Sequence, residues 1–182
     1  DKRSWDFTPP EPTEPHTEAA LGLIAVPKKY SNKGILLDRS NPFVLRATAS
    51  TTLPAGEYRF LLRSRNAAKL FLDDELILQT DFIKANANGH ESVPDAPAAT
   101  DPMLRPLAVG QQEQLATAIL DGTEHRFRLE AFIGGQKLRL ELGELTVAIA
   151  ANDKPFLLLS PSPTTPLTDE AWTAYVADSR AR

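Results

Sequence analysis

The sequence predicts an all-β protein: an antiparallel, jelly-roll-like β-sandwich with a short C-terminal helix. Two observations support this. Segments of alternating apolar and polar residues recur along the chain, which is the pattern of strands with one buried face. Short turns rich in Gly, Pro and Asp separate about eight such segments, a spacing typical of sandwiches.

The clearest segment spans residues 53–78 and predicts a turn, a long strand, a break and a hairpin. In the long strand, one face carries Tyr58, Phe60 and Leu62 and the other carries Arg59 and Arg63. This alternation predicts a half-buried strand.

A hairpin is predicted directly after this strand. The apolar runs 70–72 and 76–78 flank Asp73, Asp74 and Glu75. A short polar turn between two apolar runs favours a hairpin over a helix.

The remaining strands are predicted from the same signals of alternation and turns. Pro54–Gly56, Asp121–Gly122 and Gly134–Gly135 are predicted turns, because glycine adopts positive φ at little cost. The predicted strands outside 53–78 are 21–26, 34–37, 43–49, 114–120, 125–133, 138–142 and 145–149.

The chain is predicted to have three parts. Residues 1–18 form a Pro-rich N-terminal segment, 19–160 the β-sandwich, and 161–182 a Pro-rich linker followed by a helix. Thr168 is the expected N-cap, with Asp169 in the first turn. The helix carries an amphipathic stripe of Trp172, Tyr175, Val176 and Ser179.

Composition argues against several classes of function. The chain has 182 residues and a net charge of −4, and it has no basic cluster of the kind that nucleic acid requires. No apolar run reaches the roughly 20 residues of a membrane span. There is no cysteine, which excludes disulfides and thiol chemistry within this stretch. Because the sequence starts at Asp1, we expect a processed chain or a domain of a longer protein.

No pattern of catalysis, metal binding or cofactor binding is evident. His16, His90 and His125 are far apart, without metal-ligand spacing. His125, at the start of a strand beside Arg126, is predicted to lie on the surface. Nucleophile-elbow, phosphate-loop and dinucleotide motifs are missing. We therefore predict a protein that is not an enzyme and has no metal or cofactor.

Two short motifs resemble the protective-antigen-type domain. These are the strand Gly56–Ser64 and the segment Lys69–Asp73. That family consists of β-sandwiches in bacterial toxins, glycosidases and yeast adhesins, often with glycan-binding roles. The resemblance implies a carbohydrate-binding sandwich.

A second resemblance extends over nearly the whole chain. The chain is similar to large planctomycete proteins that carry a cytochrome c domain upstream and surface-protein domains downstream. This resemblance implies a periplasmic, cell-envelope or secreted location. It rests on Trp5-x-Phe-x-Pro, Gly89-His90, Val93-Pro94, 138–144, 155–158 and 167–172.

The chain departs from the protective-antigen-type pattern at one place. Where many members have Asp-Asp-Gly after the strand, this chain has Arg65, Asn66 and Ala67. Asp73 and Asp74 offer another pair of adjacent carboxylates, the type of ligand that calcium prefers. Their alternative role is that of turn residues on a solvated edge.

The predicted ligand is an extracellular polysaccharide, contacted by the loop 80–96 and the hairpin tip. Asparagine, histidine and carboxylate side chains suit sugar hydroxyls. The competing hypothesis is a structural module that positions the neighbouring cytochrome and surface-protein domains, with Trp5 and Trp172 docked on the sandwich or on a neighbour. The predicted ligand-binding residues are Asp73, Asp74, Asn86, Asn88, His90, Glu91 and Asp95.

Overall fold

The computed structural model describes residues 11–12, 15, 17–23, 43–82, 98–99, 101–107, 110–133 and 145–181. Within these ranges the predicted all-β class is confirmed, with nine strands and one helix. The elements are β1 Gly22–Leu23, β2 Phe43–Thr52, β3 Gly56–Ser64, β4 Ala68–Leu72, β5 Glu75–Gln79, β6 Gln112–Leu120, β7 Glu124–Ile133, β8 Leu145–Ala151, β9 Leu157–Leu158 and α1 Asp169–Ala181.

The strands form two antiparallel sheets. The five-stranded sheet has the order β1-β8-β3-β6, with β9 paired to β8. The four-stranded sheet has the order β2-β7-β4-β5. Neighbouring strands are mostly distant in sequence, so the sandwich is held together by long-range pairing.

The main core lies between the two sheets. Phe60 of β3 and Phe127 of β7 are fully buried, and their ring centroids are 5.7 Å apart. Leu70, Leu129 and Val147 are equally inaccessible. Burying such side chains contributes about 1.5–3 kcal/mol each and is the main stabilisation of the two-layer arrangement.

The predicted half-buried character of β3 holds only for its first half, where Glu57 is exposed and Arg59 is partly exposed. Leu61 and Arg63, on the face opposite Phe60, have no exposed surface. Leu61 belongs to a second apolar cluster on the outer face of the five-stranded sheet, so the second half of β3 is buried on both sides. This cluster contains Ala20, Leu61, Leu104, Ala148, Ala150, Phe156, Leu158 and Leu167.

Irregular segments that cross this outer face supply the covering layer. The amide of Arg105 donates to the carbonyl of Leu167 at 3.1 Å, and the amide of Leu167 donates to that of Phe156 at 2.8 Å. The first bond joins the segments 101–107 and 156–167, and the second connects the two ends of the segment 156–167. Because these buried backbone groups are hydrogen-bonded, they avoid the free-energy cost of leaving water without a hydrogen-bond partner.

The C-terminal helix packs on the same layer. The predicted N-cap is confirmed, because the Thr168 hydroxyl accepts a hydrogen bond from the Ala171 amide at 3.3 Å. Trp172 and Tyr175 stack with their centroids 5.7 Å apart and pack against the second cluster. The Arg105 guanidinium lies 4.1 Å from the Trp172 ring centroid. Trp172 thus docks on the sandwich, while Trp5 lies outside the described residues.

The other predicted elements have mixed outcomes. The strands predicted at 43–49, 114–120, 125–133 and 145–149 are confirmed, each slightly longer than expected. Of the predicted strand 21–26, residues 22–23 form β1. The short β9 was not predicted. The strands predicted at 34–37 and 138–142, the turn at 134–135 and residues 24–26 lie outside the described residues.

A buried ion pair lies beneath the covering layer. The Arg63 guanidinium contacts Glu113 Oε2 at 2.7 Å and donates to the Arg105 carbonyl at 2.9 Å. The Arg63 side chain is fully buried and that of Glu113 is 6% exposed. Among the residues that the structure describes, Arg63 Nη1 has no hydrogen-bond partner. Glu113 therefore supplies the charge that makes burial of Arg63 tolerable.

Removing Glu113 should therefore destabilise the fold strongly. We expect Glu113→Ala to lower the free energy of unfolding by about 3–5 kcal/mol, because an uncompensated cation remains buried. The double variant Arg63→Met/Glu113→Leu should recover most of this loss, since it removes both charges. Urea denaturation measures both values. A Glu113→Ala protein as stable as the wild type would contradict this account.

Candidate functional site

The two sheets differ in what covers their outer faces. The second apolar cluster covers much of the five-stranded sheet, whereas much of the four-stranded sheet is accessible to solvent. We call the accessible surface the open face. Its outward residues are Arg46, Thr48, Ser50, Lys69, Phe71, Leu76, Arg126, Arg128 and the largely buried Glu130.

Strand periodicity places these side chains on one surface. Phe127, Leu129 and Ala131 of β7 point into the core, so the alternate residues Arg128 and Glu130 point outward. Cross-strand register then builds two rows over β2, β7 and β4. One row is Thr48–Arg128–Phe71, and the other is Arg46–Glu130–Lys69.

An ion network crosses the middle of the open face. Glu130 Oε1 accepts hydrogen bonds from Arg46 Nη2 at 2.9 Å and from Arg128 Nη1 at 2.7 Å. The Arg46 side chain is 42% exposed and that of Glu130 is 11% exposed. The carboxylate therefore holds two guanidinium groups at the surface in fixed positions.

An aromatic side chain lies next to this network. The Arg128 guanidinium carbon is 3.8 Å from the centroid of the half-buried Phe71 ring, a cation–π contact. Across the strand pair, Phe71 faces Leu76, which is 45% exposed. The open face thus combines apolar surface with planar hydrogen-bond donors.

The predicted hairpin closes one end of the open face. Asp73 and Asp74 form a two-residue turn between β4 and β5, with φ of 49° and 67°. Positive φ at both residues is typical of a type I′ turn, where Asn and Gly are usual. The backbone of Arg126 binds both the backbone and the side chain of Asp73. The Asp73 amide donates to the Arg126 carbonyl at 2.8 Å, and the Arg126 amide donates to Asp73 Oδ1 at 2.8 Å.

The prediction that His125 is a surface residue is wrong. His125 is 8% exposed and lies between two carboxylates. Its Nδ1 is 2.6 Å from Asp73 Oδ2, and its Nε2 is 3.1 Å from Asp121 Oδ1. The alternation of β7 already places residue 125 on the inward side with Phe127, and this signal outweighs its position at the strand end.

This cluster lowers the pKa of both aspartates. For Asp73, partial burial raises the pKa. The hydrogen bonds from the Arg126 amide and His125 lower it by more than burial raises it, so the pKa lies below its usual value. For Asp121, the Thr123 hydroxyl and amide are the main causes of a lowered pKa, and His125 adds to them. Both carboxylates are therefore held in the charged form that bonds to the ring.

The adjacent carboxylates of the hairpin do not converge on one point. Asp73 bonds to Arg126 and His125, while Asp74 Oδ1 lies 3.4 Å from Arg128 Nη2. In the part of the chain that the structure describes, no group of three or more His, Asp or Glu side chains is arranged to hold a metal ion.

The structure places only part of the predicted site. Asp73 and Asp74 lie at the hairpin tip, beside the open face. Their role in ligand binding, and that of the loop residues, stays a prediction. Sequence reasoning missed Arg46, Phe71 and Glu130, although the period-two pattern of their strands could have located them. The other predicted ligand residues, Asn86, Asn88, His90, Glu91 and Asp95, lie outside the described residues.

Comparison with known proteins identifies structural likenesses only. No family model matches the sequence, and no curated protein matches it significantly. Among solved structures, it is similar to a PA14 sugar-binding domain from an RTX adhesin, with a TM-score of 0.44 and 10% identity over 68% of this chain and 54% of that one. A β-glucosidase from Kluyveromyces marxianus gives a TM-score of 0.44 and 17% identity over 68% of this chain and 14% of that chain.

A third similar structure is a family 35 carbohydrate-binding module from an environmental isolate. Its TM-score is 0.33, with 14% identity over 80% of this chain and 94% of that one. Likeness at this level does not define a ligand, and the chain spans about half of the adhesin structure. Within the described ranges, no helix has the length and apolar character to cross a membrane.

The lowered pKa of Asp73 predicts a pH-dependent contribution to stability. A carboxylate whose pKa is lower in the folded state stabilises the fold above its unfolded pKa of about 3.9, and this contribution disappears as the pH falls through the folded value. We expect Asp73→Asn to lower the free energy of unfolding by about 1 kcal/mol at pH 7, a modest value because the side chain is half exposed. The difference from wild type should shrink below about pH 4.

Asp74→Asn is the matched control. It removes the same charge from the next residue of the same turn, and asparagine tolerates positive φ at both positions. Urea denaturation of the three proteins at pH 7, 5 and 3 measures the difference. Equal losses for the two variants at pH 7 would contradict a specific role of the Asp73–His125 contact.

Proposed function

We propose that the chain is a non-catalytic recognition module that binds a polysaccharide at the open face and the adjoining hairpin tip. The observation that carries this proposal is the accessible four-stranded sheet face, where an aromatic ring and fixed polar side chains lie together. The proposal is supported by the chemistry of that face and not by similarity to a protein whose ligand is known.

The open face suits the chemistry of sugars. A pyranose ring presents apolar C–H groups to aromatic or aliphatic side chains and hydroxyls to hydrogen-bonding groups. Phe71 and Leu76 supply the apolar surface, and Arg128, Thr48 and Ser50 supply the polar groups. Four strands spaced about 4.8 Å apart make a surface about 14 Å wide, so an extended polymer has room to lie across it.

The position of Glu130 supports the binding of polar ligand groups. Its carboxylate accepts hydrogen bonds from Arg46 Nη2 at 2.9 Å and from Arg128 Nη1 at 2.7 Å. Glu130 is thus suited to orienting both guanidinium groups on the open face.

The proposed ligand also supports a location outside the cytoplasm. We propose a periplasmic, cell-envelope or secreted domain of a larger protein, consistent with the resemblance to planctomycete proteins with cytochrome c domains. Neighbouring domains of the parent chain are then the other expected partners.

Truncation of the aromatic side chain tests the proposed site. We expect Phe71→Ala to weaken polysaccharide binding by about tenfold or more, because the sugar loses its apolar contact and Arg128 loses its support. Affinity electrophoresis against a panel of soluble polysaccharides measures the change. Ile119→Ala is the matched control, since Ile119 is 79% exposed on the other sheet.

The predicted loop residues need a separate test. Asn88→Ala and His90→Ala are expected to weaken the same binding if the loop 80–96 forms part of the contact surface. Repeating the assay with calcium and with chelator tests whether Asp73 and Asp74 bind an ion. Binding that resists all three substitutions, including Phe71→Ala, would exclude both proposed contact surfaces.

A second candidate function is that of a structural module that positions neighbouring domains. The docked helix favours it, because the Arg105–Trp172 contact and the Trp172–Tyr175 stack hold α1 against the sandwich. We expect Trp172→Ala to release the helix and make it sensitive to limited proteolysis, with the sandwich intact. A folded wild-type domain that binds no polysaccharide would favour this candidate.

A further inference from the structure

We infer that the polysaccharide bound at the open face is anionic and carries carboxylate groups, as uronate polymers do. This inference rests on the proposed function and specifies its ligand class. The evidence is the local charge of the open face, which differs from that of the whole chain.

The middle of the open face has an excess of cations. It carries Arg46, Lys69, Arg126 and Arg128 against the carboxylate of Glu130, while Asp73, Asp74 and Glu124 lie at the turn end. The whole chain, in contrast, has a net charge of −4. Cations are therefore concentrated on the accessible sheet face, where they can attract a polyanion over a distance of about 10 Å.

Arg126 is the cation best placed to bind a carboxylate. Its side chain is exposed, and none of the described ion pairs involves its guanidinium. Its backbone is fixed, because its amide and carbonyl both bond to Asp73. A guanidinium offers a planar fork that matches a carboxylate with two parallel hydrogen bonds.

A second cation, Arg128, lies next to it and is held in place by Glu130. Arg126 and Arg128 are successive outward residues of one strand, so their Cα atoms are about 7 Å apart. Ser50 faces Arg126 and Thr48 faces Arg128 on the neighbouring strand. Each guanidinium thus has a hydroxyl opposite it, the combination required for a sugar that carries both carboxylate and hydroxyl groups.

Acidic residues at the turn end limit the kind of polyanion. Asp73, Asp74 and Glu124 border the open face there, and Asp74 lies 3.4 Å from Arg128. A polymer with dense charge, such as nucleic acid, would be repelled by these carboxylates where it crossed the turn. A hydroxyl-rich polysaccharide with widely spaced carboxylates is repelled less than nucleic acid at the turn, and its sugar rings can also pack on Phe71.

Matched pairs of polysaccharides test the inference. Polygalacturonate is compared with its methyl-esterified form, and carboxymethyl cellulose with hydroxyethyl cellulose, by affinity electrophoresis at 50 and 500 mM salt (about 14 and 4 Å Debye length). We expect the carboxylated member of at least one pair to bind about fivefold or more tightly at low salt, with most of this preference lost at high salt.

The variant Arg126→Gln tests whether Arg126 causes the preference for the carboxylated polymer. We expect this variant to bind the carboxylated polymer about three- to tenfold more weakly, with little change for the neutral member. Lys154→Gln is the matched control, because it removes one exposed positive charge beside the other sheet. Thermal unfolding should show that both variants remain folded.

The outcomes separate this inference from the proposed function. Equal binding of both members of each pair would overturn the anionic class and leave polysaccharide recognition intact. Binding to no polymer would overturn both. Equally tight binding of single-stranded DNA, or an unchanged affinity in Arg126→Gln, would overturn the assignment of a carboxylated sugar to this face.

Discussion

The structure depends on one constraint: the five-stranded sheet has two apolar faces, and both must be removed from water. One face packs against the four-stranded sheet through contacts such as Phe60–Phe127. The other packs beneath the segments 101–107 and 156–167 and the aromatic residues of α1. The irregular segments are therefore part of the folded unit, because without them Leu61 and Arg63 would lie at a poorly covered surface, and the aromatic residues of α1 add to this cover.

The same constraint explains which surface remains accessible for a ligand. The four-stranded sheet buries one face in the core, and the outward residues of β7 up to Glu130 are polar. Among the described residues, the outer face is covered near Phe132, which packs against Phe82. The positions of the outward residues follow from strand alternation and are fixed further by the Glu130 ion network. A sheet surface of this kind can be rigid, because the strands beneath it hold the side chains in register.

The end of the open face depends on a different kind of interaction. Two consecutive aspartates with positive φ make a strained turn, and such strain persists only where the surroundings compensate for it. Arg126 and His125 provide that compensation through Asp73. Asp121, in the turn between β6 and β7, contacts the same histidine. The charged carboxylates of Asp73 and Asp121 thus contribute to the geometry of the hairpin tip.

Local sequence determined the fold class, most strand positions, the Asp73–Asp74 turn and the helix cap at Thr168, because alternation and turn chemistry act over a few residues. Tertiary structure alone decided which strands are neighbours, and hence that Thr48, Arg128 and Phe71 lie in one row. It also decided that the second half of β3 is covered on both faces and that His125 is buried between Asp73 and Asp121. These features join residues that are distant in the chain, and their positions depend on packing between sheets, which no local pattern of residues encodes.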